Sequence, residues 1–315
     1  RTFAQDHNFK AMVGFNWETK FLKDVSATGY NLLSETLMDL NLIGQDADGD
    51  KRMEVGGGQN EYALMGFFGR INYDYKGRYL FEVSGRYDGT SRFKQGYRWG
   101  FYPSASMGWR ISEESFFGDA KKVVDNLKLR ASFGSLGNQI VRDTNHNQVY
   151  YTYMRLVTLH NFAGYTFGDG GTLGKYSSLG APVASDLTWE TAQQWDLGLD
   201  VAMFNNRLNL TGDVYIRDTK DMLTAGIALP GVYGAASPNM NAADLRTKGY
   251  ELTVSWRDQF QLAGKPFEYS VGFNISDYKS VITKYDNPDK SLSKPYYVGM
   301  QLGEIWGFKT DGFFK

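Results

Sequence analysis

Between Gln194 and Arg217 the chain alternates apolar and polar side chains along two runs of about ten residues, joined by the turn pair Asn205-Asn206. In the first run Trp195, Leu197, Leu199, Val201 and Met203 share one face, and Gln194, Asp196, Gly198, Asp200 and Ala202 the other. The return run sets Leu208, Leu210, Gly212, Val214 and Ile216 against Asn209, Thr211, Asp213, Tyr215 and Arg217. Side chains alternate across a strand with period 2, so each run is a strand with one apolar and one wet face. Ten residues at about 3.3 Å each, tilted by about 40°, cover the apolar band of roughly 25 Å that a membrane barrel must span. Four charges on the wet face exclude a dry core on that side.

The same alternation recurs. Phe9, Ala11, Val13, Phe15 and Trp17 share a face, as do Ala63, Met65, Phe67, Ile71, Tyr73 and Tyr75. Tyr79, Phe81, Val83, Gly85 and Tyr87 follow, then Phe101, Ala105, Met107, Trp109 and Ile111, then Leu127, Leu129, Ala131 and Phe133. Later come Tyr250, Leu252, Val254 and Trp256, and finally Phe267, Tyr269, Val271, Phe273 and Ile275. That makes about nine long strands. The connections at 18–61, 89–98, 137–189, 218–247 and from 277 onward are long or moderate, whereas 76–78, 113–125, 205–206 and 259–265 are short. Short turns on one rim and long loops on the other is the outer-membrane pattern, with the long loops outside the cell. The expected fold is therefore all-β: a transmembrane, antiparallel, up-and-down β-barrel segment with long extracellular loops. The alternative is a soluble β-rich protein, glycan-binding or structural, whose apolar faces meet in a core.

Composition agrees. The 315 residues include 36 Gly, and aromatics make up 16%. No run reaches the 18 or so apolar residues a membrane helix needs. The mean hydropathy of −0.43 decides nothing, because alternating strands average out. A net charge of −1 without a basic block gives no reason to expect nucleic acid, and the absence of Cys excludes disulfides and thiolate metal sites.

Several runs resemble the SusC/RagA-type branch of TonB-dependent outer-membrane transporters. They are Arg86 to Phe93 (RYDGTSRF), Phe101 to Arg110 (FYPSASMGWR), Asn126 to Gly134 (NLKLRASFG) and Leu187 to Glu190 (LTWE). The 194–222 hairpin with Asp218 to Leu223, Thr247 to Leu252 (TKGYEL), and Gly303 to Phe314 (GEIWGFKTDGFF) complete the set. Residues 19–60 and 137–186 match nothing in the family pattern, as expected of variable outer loops. The resemblance implies a barrel of 22 strands around an N-terminal plug. It implies import of a large nutrient, an oligosaccharide or a peptide, energised through TonB, with a SusD-like surface lipoprotein as lid. Residues 1–315 are then expected to be part of one barrel domain, in the outer membrane of a Gram-negative bacterium, with plug, TonB-contacting segment and remaining strands lying outside this chain.

Catalysis finds little support. Of the three histidines His7, His146 and His160, His146 lies near Asp143, but no nucleophile or orienting third group accompanies them. No enzyme and no cofactor are expected. Asp46, Asp48 and Asp50 resemble the start of a Ca2+ loop, yet Gly49 is misplaced and Gly57 stands where a bidentate Glu belongs, so a solvated acidic turn is the plainer reading. Gly56-Gly57-Gly58 is read as a loop hinge.

Two sets of candidates remain. Tyr150, Tyr151, Tyr153, Tyr165, Tyr176, Tyr233, Tyr296, Tyr297 and Trp306 fall on long loops, where flat amphipathic rings suit sugar faces or a lid; packing of loop on loop is the competing reading. Arg86, Asp88, Arg92, Arg110, Lys128, Arg130, Asp196, Asp200 and Asp213 are expected to face the lumen, pairing with each other, with a plug or with cargo. An arginine at Val201 or Val254 is expected to be costly near the midplane, and Asp200→Asn or Thr253→Asn mild.

Overall fold

The computed structural model describes the chain except residues 1, 4–5, 46–48, 50–51, 143–146, 167–172, 181, 227–228, 235–236, 308–311 and 313–315. For residues 2–3, 158, 161–166, 173–175 and 225 it describes the backbone alone.

Nine long strands form one sheet in sequence order, each antiparallel to the next. They are β1 (His7–Gly29), β2 (Met53–Tyr75), β3 (Tyr79–Thr90), β4 (Trp99–Arg110), β5 (Val124–Asn138), β6 (Glu190–Met203), β7 (Leu208–Ala225), β8 (Asn239–Leu262) and β9 (Lys265–Lys284). Thr2–Phe3 pairs with the start of β1. Past β9 the chain doubles back, and Ile282 and Leu302 donate to the carbonyls of Met300 and Ser280 at 2.9 and 3.0 Å. Among the described residues no second sheet covers the apolar faces, and no helix is long and apolar enough to cross a membrane.

The expected faces are the observed ones. Val13, Trp17, Phe101, Trp195 and Val271 all lie outward with more than 60% of their surface exposed. A water-soluble sheet would not present such a continuous apolar band. Aromatic side chains border the band at both ends, as membrane–water interfaces favour. At the long-loop rim Tyr87 stacks on Trp99 at 4.8 Å, Phe15 meets Phe67 at 5.1 Å and Phe133 meets Trp195 at 4.6 Å. At the short-turn rim His7 packs on Tyr75 at 4.8 Å, and the Trp256 indole donates to Tyr269 Oη at 3.2 Å.

The turns follow local chemistry. Asn205 and Asn206, at φ of 58° and 60°, are the central residues of a tight turn closed by the Arg207 N–H on Phe204 O. Two left-handed central residues give the turn whose twist suits a hairpin, and Asn tolerates that conformation. The 111–123 connection forms 3-10 turns, at Ile111–Glu113 and within Ser115–Lys122, the latter broken by a kink at Gly118.

Three sequence expectations change. Much of 18–61 is strand rather than loop, because β1 runs to Gly29 and β2 begins at Met53. Gly56-Gly57-Gly58 is consequently no hinge: these residues pair with Ser26, Val25 and Asp24. A Cβ on Gly57 would lie 2.7 Å from Asp24 O, so glycine permits the close approach of the two backbones. The 137–189 connection also carries structure, with Val157–Thr166 pairing with Leu173–Leu179 and Val141–Arg142 with Gln148–Val149.

Candidate functional site: inner wall and outer rim

The antiparallel register aligns inward side chains in rows running around the wall, and the charges pair along these rows. Arg130 of β5 lies opposite Gly198 of β6, which lies opposite Asp213 of β7. Its guanidinium reaches Asp213 at 2.9 Å and binds Asp200 through Nε and Nη2 at 2.8 and 3.1 Å. That reach depends on Gly198: a Cβ there would sit 2.3 Å from Asp213 Oδ1 and 2.6 Å from Arg130 Cζ. The same device recurs further along the inner face, on β1, β2 and β3. Asn16, Gly66 and Asp88 form one row, and a Cβ on Gly66 would lie 2.2 Å from Asp88 Oδ1. Arg86 donates to both Asp88 oxygens at 3.0 and 2.9 Å and to Asn16 Oδ1 at 3.2 Å, with its guanidinium over the Phe68 ring. Arg110 and Lys128 stand opposite each other across β4 and β5, with Lys128 facing Asp200 on its other side. Asp196 lies between Ser132 and Tyr215 on the same inner face.

Arg92 differs from the other inward charges. It is 3% exposed, buried beneath the outer loops rather than open to the lumen. Its guanidinium lies 4.1 Å from the Tyr62 ring centre and 5.0 Å from that of Tyr150. Burial lowers its pKa, while the two tyrosines hold the cation. The two residues after Tyr150 fasten the same loop. Tyr151 Oη accepts from the Glu61 N–H at 3.1 Å, and Thr152 Oγ1 donates to Arg92 O at 2.6 Å. Beside them lies the buried cluster of Phe93, Tyr102, Val141, Leu187 and Trp189. Trp189 meets Phe93 and Tyr102 edge-on, and its indole donates to Arg98 O at 3.0 Å. Tyr102 packs across Gly100 and Gly137, where any Cβ would meet its ring. The sequence reading did not single out this cluster; the Leu187-Thr188-Trp189 run and the glycines alternating with inward side chains are its traces.

The loop aromatics divide. Tyr150 and Tyr151, both half-buried, make their contacts with Arg92 and Glu61 respectively. Tyr153 is 37% exposed and Tyr233 49%. Tyr176 stacks on His160 at 4.9 Å, and that histidine's Nε2 lies 2.7 Å from Ser178 Oγ. Tyr296 meets Tyr285 edge-on, and Tyr297 donates to Glu304 at 3.0 Å while meeting the half-exposed Trp306 edge-on. The side chain of Tyr165, the Asp143–His146 pair and Asp46, Asp48 and Asp50 lie outside the described residues. Among the described residues no three His, Asp or Glu gather as metal ligands.

The short-turn rim carries a further tie. Glu114 accepts from Tyr79 Oη at 2.5 Å and Trp109 Nε1 at 3.0 Å, with Arg78 at 3.4 Å. The Tyr79 hydrogen bond, then that of Trp109, holds its pKa below the usual carboxylate range.

Comparison with known proteins places this wall. Residues 1–311 match the family described as TonB dependent receptor-like, beta-barrel. TonB-dependent receptor P3 of Formosa agariphila is 30% identical across 98% of the chain, and TonB-dependent receptor SusC of Bacteroides thetaiotaomicron 34% across 75%. The chain spans 30% and 22% of the lengths of those two relatives. Among solved structures, that of the RagAB peptide transporter superposes with a TM-score of 0.69 at 26% identity, covering 90% of this chain and 29% of that one. The family is one of outer-membrane transporters rather than enzymes. The chain belongs to the TonB-dependent receptor-like β-barrel family, and its nine long strands are a sector of that family's outer-membrane barrel.

Proposed function

We propose that this sector forms part of the wall and outer mouth of an importer for a large nutrient, an oligosaccharide or a peptide. The importer is energised through TonB and works with a SusD-like surface lipoprotein. One observation carries the reading: a single sheet turns a band of apolar side chains outward and a face of paired polar and charged side chains inward, with the long loops gathered on one rim. Such a wall has lipid on one side and a polar passage on the other. Family membership and the likeness to RagAB, which transports peptide, support the same direction. The half-exposed aromatics Tyr153, Tyr233 and Trp306 on that rim are the surfaces offered to cargo or lid.

The test is uptake by the native bacterium of fluorescent oligosaccharide and peptide mixtures, with the full-length gene present or deleted, with and without a protonophore. Accumulation of at least one mixture is expected to fall to background on deletion and on loss of the proton gradient. Accumulation indifferent to both would overturn the reading. Co-purification of a surface lipoprotein with the full-length protein tests the lid separately.

A further inference from the structure

The outward face of β7, β8 and β9 turns basic immediately above the apolar band. Ile216, Lys248 and Lys279 form one register row, and Asp218 and Arg246 the next. Lys220 follows on β7, and all four cations are exposed. Their parity is that of Val214, Leu252 and Ile275, so they leave the wall on the lipid side. Lys248 and Lys279 stand level with Ile216, in the row of the aromatic border residue Trp195. Arg246 and Lys220 lie about two and four residues beyond it at about 3.3 Å each, which places the group at the level of lipid headgroups.

The acids near this patch are already engaged or lower down. Asp218 is bound by Arg246 through Nε and Nη2 at 2.6 and 2.8 Å. Asp277 lies opposite Tyr250, one row toward the membrane centre. Glu304 shares with Lys279 a hollow of about 580 Å3, but accepts from Tyr297 Oη at 3.0 Å and the Gln301 N–H at 3.2 Å. Among the described residues Lys220, Lys248 and Lys279 have no ion pair with a carboxylate. At the far edge the outward face is different: β1 carries Phe21 and Val25 with one lysine, Lys23, and β2 carries Glu61.

We propose that Lys220, Lys248 and Lys279, with Arg246 held in place by Asp218, bind the phosphate groups of an outer-leaflet glycolipid. Continuity fixes the occupant: two rows down, the same face of the same strands carries Leu252 and Ile275 and meets acyl chains. Lysine stems lie along apolar surface while their ammonium groups reach the polar layer, and clustered cations there select anionic headgroups. Val214, Leu252 and Ile275 supply the surface for the chains below.

The experiment uses the full-length transporter in phosphatidylcholine nanodiscs containing diphosphorylated lipid A or its phosphate-free counterpart. Bound lipid per protein is read by native mass spectrometry and affinity by titration. The variant K220Q/K248Q/K279Q is expected to bind diphosphorylated lipid A at least tenfold more weakly. A control, K265Q/K290Q/K294Q, is expected to match the parent, and phosphate-free lipid A to be retained by neither. Should the triple variant fail to assemble, the single change K248Q is expected to weaken binding about threefold. Equal retention by parent and patch variants, or equal retention of the phosphate-free lipid, would overturn the proposal. So would unchanged lipid binding with loss of a co-purifying surface lipoprotein, which would assign the patch to a protein partner.

Discussion

Arg130 binds Asp213 from two strands away, across a glycine that leaves room for the guanidinium. The interaction spans three strands of the inner wall, so its loss is a loss of wall cohesion as well as of charge pairing.

Gly198→Ala is therefore expected to destabilise the assembled barrel, although Ala ordinarily suits a strand better than Gly. The pair is partly solvated, and displacing it is expected to cost about 0.5–1 kcal/mol. Gly272→Ala on β9, where a Cβ would meet nothing within 4 Å, is the control and is expected to be neutral or slightly stabilising. Urea unfolding of the full-length protein in micelles measures both.

The register refines what a charge on the lipid face should cost. Val201 and Val254 lie in one row with Leu210, one same-face step nearer the short-turn rim than Leu199. Leu199→Arg is expected to cost about 2–4 kcal/mol, Val201→Arg and Val254→Arg less, and Thr253→Asn almost nothing. Asp200→Asn is not a mild control, because Asp200 is the two-pronged partner of Arg130. Assembly yield and unfolding free energy of the four variants give the ranking.

Tyr151→Phe removes one hydroxyl that accepts from the Glu61 amide. Losing a hydrogen bond worth about 0.5–1.5 kcal/mol predicts a rise of roughly two- to tenfold in exchange at that amide. Hydrogen exchange of full-length protein measures it. Tyr153→Ala is expected to leave the exchange unchanged, so any effect of that variant on cargo or lid binding reports contact rather than loop loosening.

Glu114 gives the wall a pH response. Its folded pKa is depressed, so its contribution is fully present above the ordinary carboxylate value of 4.5 and is lost as pH falls through the folded value. Glu114→Gln is expected to be less stable than the parent at neutral pH, with the difference closing below about pH 4.5. Unfolding midpoints from pH 3 to pH 7 test the sign; a gap that widened in acid would contradict it.

What the sequence showed and hid follows from periodicity. Wherever one face meets lipid, a period of 2 must appear, so all nine strands and their faces were legible from runs such as Trp195 to Met203. Strand continuation past the bilayer was not, because residues 18–29 and 53–61 have water available on both sides and no reason to alternate strictly. Pairing partners such as Arg130 with Asp213 need the register, which a single strand's pattern does not contain. Tyr150 read as an exposed loop ring; its place beside Arg92 depends on a fold of the outer loop that no local pattern encodes.

The most direct test of the account is nitroxide scanning along β6 in the full-length protein in bilayers, with oxygen and a nickel chelate as collision partners. The account predicts strict alternation: oxygen contact at 195, 197, 199 and 201, and nickel contact or immobilisation at 196, 198 and 200. Uniform accessibility, or the opposite phase, would contradict it.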